Sequence, residues 1–352
     1  MRLFCYKARC GDSFHLKYRG ISGVQRNIFL DMGHASTYDN ITKRVIAELE
    51  EDNENVDAIF LSHIHDDHIG GARKYVRDIS SGRMLGKLVK QWIYNAPRTY
   101  SFSNEKKQIH ATECGIVSGD RIYEFIASNY PSDIADYVSG ASLDIDGMKV
   151  SIISPNREKL NLLREKYACG RPLCCSESND ISAEVGRPAD DCHISLWEFD
   201  TEKFLEDNNI ENGSSLAAIF EYEGKRILWL ADSVPSVIIN ALSLMGYSEG
   251  KRFQCSTVIL AHHGSVMNNS AELLKMIDAD KYIISADGIN RYCLPNKETI
   301  ARLVATSVKR PVEIFFNHND GRIVRMFAVD DDVRLDELVN IHFINENEAI
   351  DI

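Results

Sequence analysis

Apolar positions along the chain follow two rhythms. Short β-type runs come first: FCYKA, SFHLKY and NIFLDMG, divided by the turn segments CGDS and RGISG. TKRVIAELEED then changes the period, with Val45, Ile46 and Leu49 apolar between charges, the 3.6-residue spacing of an amphipathic helix. The next unit, DAIFLSHIHDDHIGGARKYV, reads as a buried strand, a loop and a helix opened by the glycines. Strand, loop and helix return in TVILAHHGS with SAELLKMIDA, and in KYIISADG with NKETIARLVATS. AAIFEY and RILWLAD, joined by EGK, read as a hairpin. Strands alternating with amphipathic helices predict a layered α/β fold. Further in, KLVKQWIYNAP predicts a strand, and GDRIYEFIASNY and SDIADYVS predict helices. Residues 164–210 are polar and read as an insertion or long surface loop with some local structure. The organisation expected is one domain over 1–330 and a peripheral acidic tail over 331–352.

Composition narrows the setting. Hydrophobic residues make up 44% and charged residues 26% of the 352, ample for a core. The net charge of −12 argues against a general nucleic-acid or membrane coat, which rests on clustered Lys and Arg. It leaves room for a nucleic-acid substrate held locally by metal ions. MRLFCYKARCGDS has no apolar core or small-residue cleavage site, so no signal peptide is expected. No run approaches the roughly 18 apolar residues of a membrane span. The nine scattered cysteines then read as free thiols in a reducing, cytoplasmic compartment.

The chemistry concentrates in HIHDDH. His63 and His65 are two apart and face the same way on an extended segment, and Asp67 and His68 fall on the turn into the helix. Imidazole binds Zn and similar ions, and carboxylates bind or bridge a second one. Later strand ends add candidates. Asp232 closes the apolar run RILWLAD, where an unpaired carboxylate is costly. His262 and His263 close TVILAHHGS; one of them completes a site and the other contacts substrate or supports the ligands. Cys169, Cys174, Cys175 and Cys192 are weighed as a structural zinc site and read instead as plain thiols. His15, His110 and His318 read as structural or surface histidines, and His34 is a candidate support for the metal loop.

In order, NIFLDMG with Asp31, HIHDDH, Asp232 and the late histidine resemble the metallo-β-lactamase superfamily. DDHIGG, NGSSLAAIFEYEGKRILWLADS, HHGS and SADGINRY resemble more closely the ComEC-like competence hydrolases, over most of 1–330 outside 164–210. The resemblance implies an αββα sandwich, two mixed β-sheets flanked by helices, with two divalent ions, Zn or Mn, at one edge. It implies hydrolysis by a hydroxide bridging the ions. His63 and His65 are assigned to one ion, Asp67, His68 and His263 to the other, Asp232 to the bridge and Asp31 to support. His262, Ser265 and Asn212 are assigned to substrate. One departure stands out: the family's third histidine, about twenty residues before the bridging Asp, is replaced by IENGSS. Asn212, His193 or water would then complete the first ion's shell. A phosphodiester substrate, nucleotide or nucleic acid, leads. The alternatives are another ester, amide or lactone, or a catalytically degraded binding module with a protein partner.

Overall fold

The computed structural model describes residues 1–84, 88–98, 114–168, 190–290, 292–330, 332–346 and 348–352. The first half of the chain builds a mixed sheet from β1 (Arg2–Cys5), β2 (Ser13–Arg19), β3 (Gln25–Met32), β4 (Ala58–Leu61) and β5 (Trp92–Tyr94), with β14 (Ala349–Asp351) at its edge. The second half builds another from β6 (Ser142–Ile145), β7 (Met148–Ser154), β8 (Ala217–Tyr222), β9 (Lys225–Trp229), β10 (Phe253–Ile259), β11 (Ile277–Ile284), β12 (Val312–Phe316) and β13 (Val339–Phe343). Each sheet starts antiparallel and becomes parallel, at β3–β4 in the first and β9–β10 in the second.

Alternation along the strands sorts their side chains into layers. In β3, Ile28 and Leu30 turn inward; in β4, Phe60 does. They meet Val150, Phe220 and Trp229 of the second sheet in a shared central core. Phe29, Ile59 and Leu61 turn the other way, under α1 (Lys43–Glu51), α2 (Asp66–Ser80) and α3 (Cys114–Asn129). Leu160 and Leu163 of α4 (Arg157–Tyr167) join that outer layer. On the far face, Leu228, Val258 and Ile284 pack under α5 (Pro235–Leu244) and α6 (Lys297–Thr306). This is the αββα sandwich. AIFL is continuous in apolar residues because both faces of β4 are covered.

Four expectations change. The glycines of DDHIGG do not open α2, which begins at Asp66. They let it approach β3: a Cβ on Gly71 would lie 2.1 Å from the Met32 carbonyl oxygen. SDIADYVS is not a helix beyond the turn Pro131–Asp133. Asp133 accepts the Trp92 N–H at 2.8 Å and Asn95 pairs with the Tyr137 backbone, so the segment is tied to β5 and held extended. In SAELLKMIDA the helix stops at Lys275, because Ile277 pairs with Phe253 in the parallel register of β11 and β10. The tail is structural, since β13 pairs with β12 and β14 with β1, giving each sheet an edge strand.

In the 164–210 segment, Leu196 is buried in the outer core of the second sheet. Cys169, Cys174, Cys175 and His110 lie outside the described residues. Cys5, Cys10, Cys192, Cys255 and Cys293 are free thiols. Among the described residues, no helix is long and apolar enough to cross a membrane.

Candidate metal centre

The site lies where the strands at the two parallel transitions end. Asp31, next to last in β3, is left-handed, φ 54°. Its carboxylate accepts the Ser62 N–H at 2.8 Å and the Ser62 hydroxyl at 2.6 Å, which anchors the loop after β4. Its Oδ2 also lies 2.7 Å from His68 Nδ1. That contact places the hydrogen on Nδ1 and turns the Nε2 lone pair inward. His263 is held likewise, with Nδ1 3.0 Å from the Ser285 carbonyl oxygen and 3.3 Å from Asp12 Oδ1. Asp232 follows β9 through Ala231, also left-handed at φ 45°.

The inward-facing atoms form two adjoining groups. In one, His68 Nε2 and His263 Nε2 lie 3.9 and 3.6 Å from Asp67 Oδ2, and 3.4 and 3.9 Å from Asp232 Oδ1. In the other, His63 Nε2 lies 3.7 Å from Asp232 Oδ2 and 2.9 Å from His65 Nδ1. Ligands of a tetrahedral ion bound at 2.0–2.1 Å stand about 3.4 Å apart, so these spacings fit divalent ions.

Two observations show that the residues suit metal. His68 Nε2, His263 Nε2 and Asp232 Oδ1 are buried without a hydrogen-bond partner, a costly condition that coordination relieves. The charge balance agrees. Asp12, Asp31, Asp67, Asp207 and Asp232 pair here only with histidines, with no Lys or Arg among the described residues. So many carboxylates at a buried site require positive charge. Burial opposes charge on His68 and His263, yet the surrounding carboxylates hold both pKa values well above the ordinary range. Burial likewise opposes charge on Asp232, but His68, His262 and His263 keep its pKa well below the ordinary value. Burial, reinforced by His68 and His65, keeps His63 neutral and ready to offer a lone pair.

The fold therefore brings His63, His65, Asp67, His68, Asp232 and His263 together, with Asp31 behind them. His262 joins them, its Nε2 3.7 Å from Asp232 Oδ2. Ser265 is buried and its hydroxyl accepts the Met267 N–H. Asn212 donates to Asp207 at 2.7 Å, and its Oδ1 is buried with no hydrogen-bond partner among the described residues. His193 is exposed and belongs to none of the ligand groups. His34 faces the Cys10 sulfur at 3.8 Å. His318 pairs with Asp320 at 3.3 Å, and His15 is buried in β2. Sequence reasoning missed Asp207, Asn268, Ser62 and the site role of Asp12. Only the Gly11-Asp12-Ser13 match gave a hint of the last.

Residues 22–88 match the family model of the Metallo-beta-lactamase superfamily. No curated protein matches the chain. Among solved structures, the chain is similar to the metallo-beta-lactamase fold protein YhfI from Bacillus subtilis, at 10% identity and TM-score 0.43, over 90% of this chain and 96% of that one. It is similar to Zn(2+)-bound PqqB from Methylobacterium extorquens, at 11% identity and TM-score 0.37, over 97% and 87% of the two chains. It is also similar to a CmlA beta-hydroxylase variant, at 11% identity and TM-score 0.40, over 86% of this chain but only 48% of that one, so it spans about half of the hydroxylase's length. None of these matches singles out the ComEC-like hydrolases. HIHDDH lies inside the segment that matches the Metallo-beta-lactamase superfamily model, and the αββα sandwich sets Asp232 and His263 against it.

Proposed function

We propose that the protein is a metal-dependent hydrolase of phosphodiesters, in nucleotides or short single strands. The observation that carries the hydrolase reading is the pair of ligand groups sharing His68: His63, His68, Asp232 and Asp67, His68, His263. His63, His65, Asp67, His68, Asp232 and His263 would hold two ions, Zn or Mn. The ions would supply an activated water and neutralise charge developing on the substrate's oxygens. Around them, Asp31 and Ser62 fix the direction of His68, and Asp12 with the Ser285 carbonyl fixes His263. The low accessibility of His63, His68 and Asp232 keeps bulk water out of the inner part of the site.

The phosphodiester class rests on a second feature. The acidic chain carries a basic cleft, about 670 Å³, between α2 and α3, lined by Arg73, Lys74, Arg77 and Arg121 with Phe125, and by the single acid Glu124. Lys74 is paired with Asp39, and Arg73 lies 3.9 Å from Asp66. Arg77 and Arg121 form no ion pair among the described residues. α2 starts at the metal loop, so Arg73 and Arg77 stand about 8 and 14 Å along the helix from His68. A polyanion reaching the metals could lie along them, with Phe125 offering a face to a base. The motif likeness to ComEC-like hydrolases points the same way.

Hydrolysis of bis-p-nitrophenyl phosphate tests this, with metal counted on each sample. Metal-loaded protein is expected to turn over, and Asp67→Ala and His263→Ala to lose at least about 100-fold in kcat/KM. Arg77→Glu with Arg121→Glu is expected to raise KM for a short single-stranded oligonucleotide and leave the small ester unchanged. Two bound ions without phosphodiester turnover would move the assignment to a carboxylic ester, amide or lactone, or to a binding module.

A further inference from the structure

We infer that His262 Nε2 completes the first metal position, in place of the third histidine that the chain lacks; this rests on the two-ion reading above. Asp232 divides its oxygens between the two groups. Oδ1 faces His68 and His263, at 3.4 and 3.9 Å. Oδ2 is 3.7 Å from His63 Nε2 and equally 3.7 Å from His262 Nε2. His65 Nδ1 lies 2.9 Å from His63 Nε2, so histidines from two loops approach the same Asp232 oxygen, directly or through a neighbour.

The other side of the His262 ring explains its direction. Nδ1 lies 2.9 Å from Asn268 Oδ1 and 3.6 Å from Asp207 Oδ2. The Asn268 amide nitrogen is engaged with Asp207 Oδ2 at 3.2 Å and with the carbonyls of Asp232 and Ser233, so its oxygen is what faces the ring. Nδ1 therefore donates, and Nε2 presents its lone pair toward Asp232. His68 and His263 are held in the same way by acceptors behind their Nδ1 atoms. A histidine donating to a substrate would need its hydrogen on Nε2.

The backbone supports the same role. Adjacent residues of an extended strand point to opposite faces. His262 and His263 are consecutive left-handed residues, φ 47° and 55°, and both rings turn toward one carboxylate, their centroids 5.6 Å apart. Non-glycine residues take this conformation at about 1–2 kcal/mol each, a cost that fits a functional position. Asn212, which occupies the segment where the family has its third histidine, lies 3.5 Å from His262 Nδ1, behind the ring. The missing ligand is thus replaced from the neighbouring loop, and Asn212 acts on it only through Asp207, to whose Oδ2 it donates at 2.7 Å.

Metal titration of wild type, His262→Asn and Asp207→Ala tests the assignment, read by native mass spectrometry with zinc and by the visible absorption of cobalt-loaded protein. Asn tolerates the left-handed backbone. Wild type is expected to bind two ions. His262→Asn should keep one ion and bind the other at least about 100-fold more weakly, and Asp207→Ala should weaken that same ion about 10–100-fold. Two ions bound by His262→Asn with affinities within about 3-fold of wild type, and only substrate KM raised, would overturn the assignment and return His262 to substrate contact. Circular dichroism reports folding; if His262→Asn unfolds, the Asp207→Ala titration decides alone. Wild type binding fewer than two ions would overturn the two-ion reading itself, a result separable because it appears without any substitution.

Discussion

His15 shows what charging a buried imidazole costs away from the metal loop. It stacks on Phe29 at 4.6 Å, with Nε2 2.9 Å from Asn27 Oδ1 and Nδ1 3.1 Å from the Tyr6 hydroxyl. Burial, only partly countered by Asn27, pulls its pKa down to about 4. The unfolded chain therefore takes up this proton at higher pH than the folded one, near the ordinary value of about 6.5. Stability is full above that value and is lost as pH falls from about 6.5 to about 4, by roughly 3 kcal/mol for this one group. Urea unfolding at both ends of that window should show the loss, and His15→Gln should remove most of the difference; an unchanged pH slope in the variant would assign the loss elsewhere. HIHDDH, Asp232 and His263 were legible in the sequence because metal admits few side chains and the spacing followed strand geometry. Asp207 and Asn268 were not. Asn268 is turned toward His262 by donating to Asp207, 61 residues away, a contact that exists only in the folded chain, and Asp207 sat in a polar segment that read as an insertion.

Elements tell a similar story. Apolar rhythm located the strands and long helices, because burial on one or two faces leaves a period in the sequence. It failed where a neighbouring strand decided the conformation: Ile277 is drawn into a parallel register, and SDIADYVS is tied down by Asp133 and Asn95. The glycines after HIHDDH were read as a helix start, yet their role is close contact. Gly71→Ala would set a methyl against the Met32 carbonyl oxygen, 2.1 Å away, and push α2 off β3. Overpacking on that scale costs about 3 kcal/mol, and the shift would carry Asp67 and His68 with it. Denaturant titration beside metal counting should show loss of both stability and affinity; a variant as stable as wild type would mean that the helix can move freely.

At the scale of the molecule, both sheets repeat one plan: antiparallel strands, an Asp near a left-handed turn, then a parallel strand ending in histidines. The repeat was invisible as sequence identity, although the sandwich itself was legible through its motifs. Each half carries part of the ligand set, HIHDDH from the first and Asp232, His262 and His263 from the second. Metal should therefore bind the assembled fold and not its unfolded chain. At free metal 100 times the Kd, each ion adds about 2.7 kcal/mol. Thermal melts are expected to drop by several degrees in EDTA and recover with Zn or Mn, and Asp67→Ala should respond much less; no difference between metal-loaded and stripped protein would argue against metal as a staple between the halves.

The pairing of β14 with β1 bears on synthesis. Leu3 has Ile350 as its partner, so β1 keeps its outer edge unpaired until the distant β14 has been made. Closing a contact between such distant residues is slow, and an unpaired edge invites other chains meanwhile. Yield of soluble protein should therefore depend on translation rate and chaperone supply more than on the stability of the finished fold.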